Sequence, residues 1–260
     1  MNFLAHQPLP NIRKFFVPDT GYTITDTDLD RADLQVVVWE ADDDELKHAL
    51  RIGVDIHLLN GLSLENRPIP ALEELVESHP RYLDHRAPHE KQRKLAKAFI
   101  HGTNYGGSAR TMAIAAGTTV HQAELLQSRW FGAHPGIKRW HERTQHSLNT
   151  TRTVFNRFGF RRVYFDRVDG LLPEALAWVP QSTVALYINK IWDVWASNCP
   201  EVKILMQVHD SLVFQIKTPL FETMIPKLRE LASSIVIPYD DPLVIPIGFK
   251  SSTISWGDCA

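Results

Sequence analysis

Cysteine is almost absent. The 260 residues hold two, Cys199 and Cys259, far apart and outside any metal-ligand spacing. That excludes a disulfide framework and a cysteine-built zinc site, and it suits a reducing compartment. No apolar run reaches the roughly 18 residues that span a membrane. The start, Met1-Asn-Phe-Leu-Ala5, lacks the basic residues and apolar core of a signal peptide. A cytoplasmic chain with no membrane partner is therefore expected. Internal repeats and low-complexity tracts are missing too. Net charge is small, -2, and by itself points to no polyanion.

The distribution of charge is another matter. From Arg86 to Arg167 there are 15 Lys and Arg against 4 Asp and Glu. A segment this basic is an electrostatic footprint for polyanions. With 44% of residues hydrophobic, the chain is long enough to bury a sizeable core as one unit or two lobes.

Two carboxylates stand out by position. Ile204 to Lys217 is a pair of apolar β-type runs around the polar break His209-Asp210-Ser211, which predicts a hairpin carrying a carboxylate at its turn. Far upstream, Gly21 to Asp28 alternates as a strand and also ends on Asp. Two carboxylates at strand tips can hold divalent ions between them, the arrangement that serves in-line displacement at phosphorus. Asp at strand ends also caps structural elements, so the pairing needs support elsewhere.

That support lies in Arg93, Lys97 and His101, spaced i, i+4, i+8, with Tyr105 one step further. Each step of four drifts by about 40° on a helix, so Arg93, Lys97 and His101 share one face and Tyr105 lies one step further along the same spiral. Two cations, an imidazole and an aromatic ring suit a nucleotide, the cations meeting phosphates and the flat groups meeting sugar and base.

These stretches, in this order, resemble the family A DNA polymerases. Asp28-Leu-Asp-Arg-Ala-Asp33-Leu is similar to the family's first motif, the Arg93 to Gly106 stretch to its fingers helix, and Gln207-Val-His209-Asp210 to its last motif. Gly53-Val-Asp-Ile-His57, Gly159-Phe-Arg-Arg162 and Gln181-Ser-Thr-Val-Ala are smaller matches between them. The resemblance implies that Asp28, Asp210 and the backbone of Leu29 bind two Mg²⁺ ions, which Mn²⁺ can replace. It implies catalytic and phosphate-binding roles for Lys97, and phosphate contacts for Arg93 and His57. His101 and Tyr105 would lie at the sugar and template base, with Asp33 as the floor that excludes a 2′-hydroxyl. Gln181 and His209 would meet the primer end, and Arg161 and Arg162 the DNA. The partners implied are primer-template DNA and dNTPs.

The sequence departs from the family pattern at Asp33, usually Glu; at His101, usually Phe or Tyr; at Ser211, usually Glu; and at Trp178-Val-Pro180, where Asn-x-Pro is usual. No thumb or proofreading segment is recognisable before Pro10. The chain is then expected to be the palm and fingers part of a polymerase, as a truncated form, a degraded gene or one subunit of a split enzyme; a second polypeptide carrying the thumb or exonuclease would join at the Pro8, Pro10 and Pro18 edge.

The expected fold is α+β: an antiparallel palm sheet with helices, interrupted by helical fingers. The palm covers 1–50 and 151–260 and the fingers 51–150. Within it the sequence predicts a strand over 21–28 and a helix from about Asp30 past Trp39, then a second helix opened by Asp42-Asp-Asp-Glu45. Short helices or loops are expected over 60–90, and helices near 90–105, 118–130, 137–150, 173–197 and 219–234. A β pair is expected over 154–158 and 162–165, and a last strand over 244–250. Two readings of other classes stand beside the polymerase: a catalytically silent DNA-binding or assembly subunit, and a metal-dependent nuclease. The nuclease needs no triphosphate clamp, and the silent subunit is favoured if Asp28 and Asp210 do not converge or if Ser211 and Asp33 signal decay.

Overall fold

Alternating residues from Tyr22 to Leu29 form strand β1, one of the two inner strands of the main sheet. The structure, a computed structural model, describes residues 12–165 and 168–259. The Pro8 and Pro10 part of the expected junction lies outside them. Contacts divide the chain into two units, one running to Ala32 and resuming at Ser182, the other from Asp33 to Gln181.

The first unit is a four-stranded antiparallel sheet in the order β4-β5-β1-β6. Strands β4 (Lys203–Val208) and β5 (Ser211–Lys217) make the expected hairpin, and β6 is Ile247–Ser252. Side chains alternate between the two faces of a strand. Thr23, Thr25, Thr27 and Leu29 are all buried on one face of β1. Thr27 Oγ1 donates to Leu212 O at 3.0 Å and accepts from Leu212 N at 2.8 Å, extending the β1–β5 pairing past Asp26–Val213 by side chain. On the Thr25 face, Phe214 meets Trp195 of helix α9 (Leu172–Asn198). The Trp195 indole in turn donates to Leu228 O of α10 (Phe221–Ser233) at 2.9 Å. The opposite face carries Ile24, packed with Val213 and Trp256, and then Asp26 and Asp28.

The second unit is mainly helical. It holds α1 (Ala32–Ala41, beginning at the boundary), α2 (Asp44–Arg51), α3 (Ile56–Leu64), α4 (Tyr82–Arg86) and α5 (Glu90–Asn104). Then follow α6 (Ala109–Ala116), α7 (Val120–Ala133), α8 (Pro135–Thr150), the ribbon β2 (Thr153–Phe155) with β3 (Arg161–Val163), and the start of α9. Side-chain oxygens of Asp43, Asp55, Ser108 and Thr119 cap four helices by accepting from backbone N–H groups. Helix α5 buries Ala96, Phe99, Ile100 and Thr103, the spacing of one helical face. It packs on α3, where Gly61 allows the backbones to meet: a Cβ there would lie 3.0 Å from Gln92 O.

The fold is the α+β architecture expected, an antiparallel sheet whose chain is interrupted by a helical segment. Details differ. The last strand begins at Ile247, three residues later than expected, after Pro246, which has no N–H to give a ladder. The β pair is shorter than expected because Asn156 Oδ1 accepts from the N–H groups of Phe158 and Phe160 and turns the chain early. Helices α3 and α6 were not expected as such. The contact units break at Ala32 and Gln181, so residues 33–50 and 151–181 group with the helices and not with the sheet.

Candidate active site

Asp28 lies near the end of β1, opposite Gly248 of β6. Gly248 has no side chain, and Asp28 is exposed. The β4–β5 hairpin turns through His209-Asp210, with Val208 paired to Ser211. His209 is in the left-handed region, φ 56°, which a non-glycine residue adopts at a cost of about 1–2 kcal/mol. Because β5 lies beside β1, the tight turn sets Asp210 next to the end of β1. The approach shapes the electrostatics. Partial burial, and next the Asp210 charge, push the Asp28 carboxyl above its ordinary range, with smaller pushes from Asp26 and Asp30; Lys250 opposes them.

Lys250 is a residue the sequence reading missed. It pairs across the strands with Asp26 and so shares the Asp26 and Asp28 face. Asp26 is held for structure: its Oδ2 accepts from the Trp256 indole at 2.8 Å and lies 3.6 Å from Arg13, while its Oδ1 is buried without a partner. Leu29 ends the strand paired with Ile247. Two mutually repelling carboxylates with hard oxygen donors fit a divalent cation of the Mg²⁺ type. Among the described residues no group of three or more His, Cys, Asp and Glu side chains is placed to hold a metal.

In the helical unit the expected stripe forms on α5, but its members are not equivalent. Lys97 and His101 are exposed, and Arg93 and Tyr105 are half-buried. Arg93 does not pair with Glu90. Its Nε donates to Asp55 Oδ2 at 2.6 Å, and Glu90 is engaged by Arg86 and Lys94. Asp55 is buried, accepts from Tyr82 Oη at 2.8 Å, and its Oδ1 caps α3 by accepting from the N–H groups of His57 and Leu58. Burial pushes the Asp55 carboxyl up, but the hydrogen bonds from Arg93, Tyr82 and Leu58 outweigh it and hold it below the usual range. Asp55 had a readable signal, an Asp just before an apolar helical run. Its arginine partner, 38 residues away, had none.

Tyr105 Oη donates to Asp33 Oδ2 at 3.2 Å, and its ring lies edge-on to His101, 4.7 Å between centroids. Burial first and the Asp33 charge second push the Tyr105 phenol up. Three of the expected nucleotide-binding residues therefore form one contact chain. His57 is half-buried in the first turn of α3. Gln181 is exposed on α9 and His209 at its turn. Arg161 is exposed on β3, whereas Arg162 pairs with Glu174 and lies over the Tyr164 ring.

Comparison with known proteins gives a consistent answer. DNA polymerase I of Pseudomonas aeruginosa is 27% identical over 253 residues, which is 93% of this chain and 26% of the relative. The thermostable DNA polymerase I of Thermus filiformis is 28% identical over 259 residues, 95% of this chain and 29% of the relative. The chain thus spans less than a third of the length of either. Among solved structures, the POL domain of Pol1 from M. smegmatis, in complex with DNA primer-template and dNTP, matches with a TM-score of 0.77 at 20% identity, over 96% of this chain and 42% of that one. The family model for DNA polymerase family A matches residues 5–253. With nearly the whole sequence inside that match, and the sheet, hairpin and helix described above, the chain belongs to DNA polymerase family A.

Proposed function

We propose that this chain performs template-directed nucleotidyl transfer, joining a dNTP to a primer 3′-hydroxyl and releasing pyrophosphate. The observation that carries the reading is the convergence of Asp28 and Asp210 at neighbouring strand ends, in a family A chain. The two carboxylates and the Leu29 backbone would hold the divalent ions, Mg²⁺ or in its place Mn²⁺. Bound there, the ions would supply activation of the primer hydroxyl and charge stabilisation at the leaving group.

The chain's own residues do the rest. Lys97, exposed on α5, neutralises the triphosphate and gives a proton to the departing pyrophosphate. Arg93 uses its Nε on Asp55 and offers its remaining guanidinium donors to phosphate; His57, whose backbone N–H donates to the same Asp55, meets phosphate too. Asp33, fixed by Tyr105, forms the floor under the sugar, and His101 lies against the Tyr105 ring. Gln181 and His209 read the minor-groove acceptors that all base pairs share. Arg161 and Arg162 meet the DNA backbone. In these terms the palm is 1–50 with 151–260 and the fingers are 51–150. The thumb-bearing second polypeptide finds no support in the comparisons and is no part of the proposal.

Primer extension tests the reading. A labelled primer on a longer template should gain the complementary nucleotide in Mg²⁺ and none in EDTA. Primer shortening in the presence of dNTPs would indicate the nuclease instead. Binding without either reaction would indicate the silent subunit.

A further inference from the structure

Strand β6 turns one row of side chains toward the core and one away from it. Phe249 packs on Trp195 and Phe214, with ring centroids 6.0 and 6.4 Å away. Lys250 stands on the other row with Gly248, the face that Asp26 and Asp28 share across the β1–β6 register. It is exposed and makes no ion pair among the described residues. The neighbouring charges are already engaged. Asp26 accepts from the Trp256 indole and lies 3.6 Å from Arg13. Asp30 accepts two hydrogen bonds from Arg31.

Reach favours Asp28 as the partner of this ammonium. Diagonal neighbours across an antiparallel pair lie about 7–8 Å apart, and lysine carries its charge on a flexible four-carbon stem. Gly248, directly opposite Asp28, puts no side chain in the way. A Cβ there would meet only the Asp28 carbonyl oxygen, at 3.6 Å, so the space beside it is open. The charges agree with the geometry: burial and Asp210 raise the Asp28 carboxyl, and Lys250 pulls against them. A cation held this close to two carboxylates meets any second cation that comes to them, and like charges repel.

We propose that Lys250 is a tethered counter-cation of the Asp28–Asp210 pair, a positioning residue that competes with the divalent ions and so sets how much metal the site requires. The proposal rests on the polymerase reading in taking that pair as the metal site.

Binding of Mn²⁺ alone, read by electron paramagnetic resonance, tests it without any turnover. Lys250→Met should bind Mn²⁺ at least about threefold more tightly than wild type, the effect of removing a like charge several ångströms away in water and salt. Lys250→Glu should tighten binding further, and Lys250→Arg should keep the wild-type affinity. Lys217→Met, opposite Tyr22 at the other end of β1, controls for net charge and should also keep it. The Mg²⁺ concentration that gives half-maximal incorporation should fall in the same order. Exposed side chains contribute little to stability, so thermal melting should show each variant folded. Equal Mn²⁺ affinity in wild type, Lys250→Met and Lys250→Glu would overturn the proposal, as would no Mn²⁺ binding by any of them. Weaker binding by Lys250→Met would overturn it too, since the lysine would then organise the site. So would an equal gain in Lys217→Met, which would reduce the effect to net charge. Primer extension by a chain whose Mn²⁺ affinity ignores Lys250 would sink this inference alone. Mn²⁺ affinity that follows Lys250 without any extension would sink the polymerase reading alone.

Discussion

The Asp28 carboxyl lies above its ordinary range, so its ionised form opposes folding where no cation is bound. Its folded pKa is raised above the ordinary 3.8 by burial and then by Asp210. Stability is therefore lost as pH rises through that raised value, and the loss persists at neutral pH. Asp28→Asn should melt at or above wild type without metal at pH 7. MgCl₂ should raise the melting temperature of wild type and not that of the variant; differential scanning fluorimetry reads both. Asp55 has the opposite sign. Its pKa is lowered, so its contribution is present above 3.8 and is lost as pH falls through the folded value. Asp55→Ala leaves Arg93 without its partner and should cost about 3–5 kcal/mol in urea unfolding at pH 7. Asp33 sets a third test. Asp33→Glu brings the carboxylate one methylene further and should raise the ratio of dNTP to rNTP incorporation efficiency, whereas Asp33→Ala should lower it. An unchanged ratio across the three would mean that another residue forms the gate.

Helix α5 shows how far an element can be read from spacing. The i, i+4, i+8 pattern placed Arg93, Lys97 and His101 on one face, and the helix from Glu90 to Asn104 carries them there. What spacing could not show is that Arg93 is half-buried against a carboxylate on α3 while Lys97 is exposed. The two alanine variants should therefore differ. Lys97→Ala should weaken nucleotide use, by roughly 1.5–3 kcal/mol for a lost charge-assisted contact, without changing the urea midpoint. Arg93→Ala should lower the midpoint as well. The hairpin was legible because two apolar runs flank a two-residue polar break. Lys250 was not, because only the β1–β6 register, a contact between strands more than 200 residues apart, places it opposite Asp26. Helix α6 was legible and missed: Ser108 before Ala109 and a left-handed Gly117 after Ala116 are start and stop signals. Four prolines between 68 and 88 drew the reading toward loops, yet α3 ends at Leu64, before the first of them.

At the scale of the molecule, the basic stretch from Arg86 to Arg167 falls wholly within the helical unit. The raw count overstates its free charge, because Arg93, Arg157 and Arg162 are each tied to a carboxylate. DNA binding should still weaken steeply with salt, with a slope set by the untied cations and not by all 15. The central claim is that Asp28 and Asp210 act together in metal-dependent nucleotidyl transfer. Single-nucleotide incorporation in Mg²⁺ by wild type, Asp28→Asn and Asp210→Asn tests it most directly. The account predicts incorporation of the complementary dNTP by wild type, and a loss of at least about a hundredfold in each variant. Incorporation by either variant at the wild-type rate would contradict it.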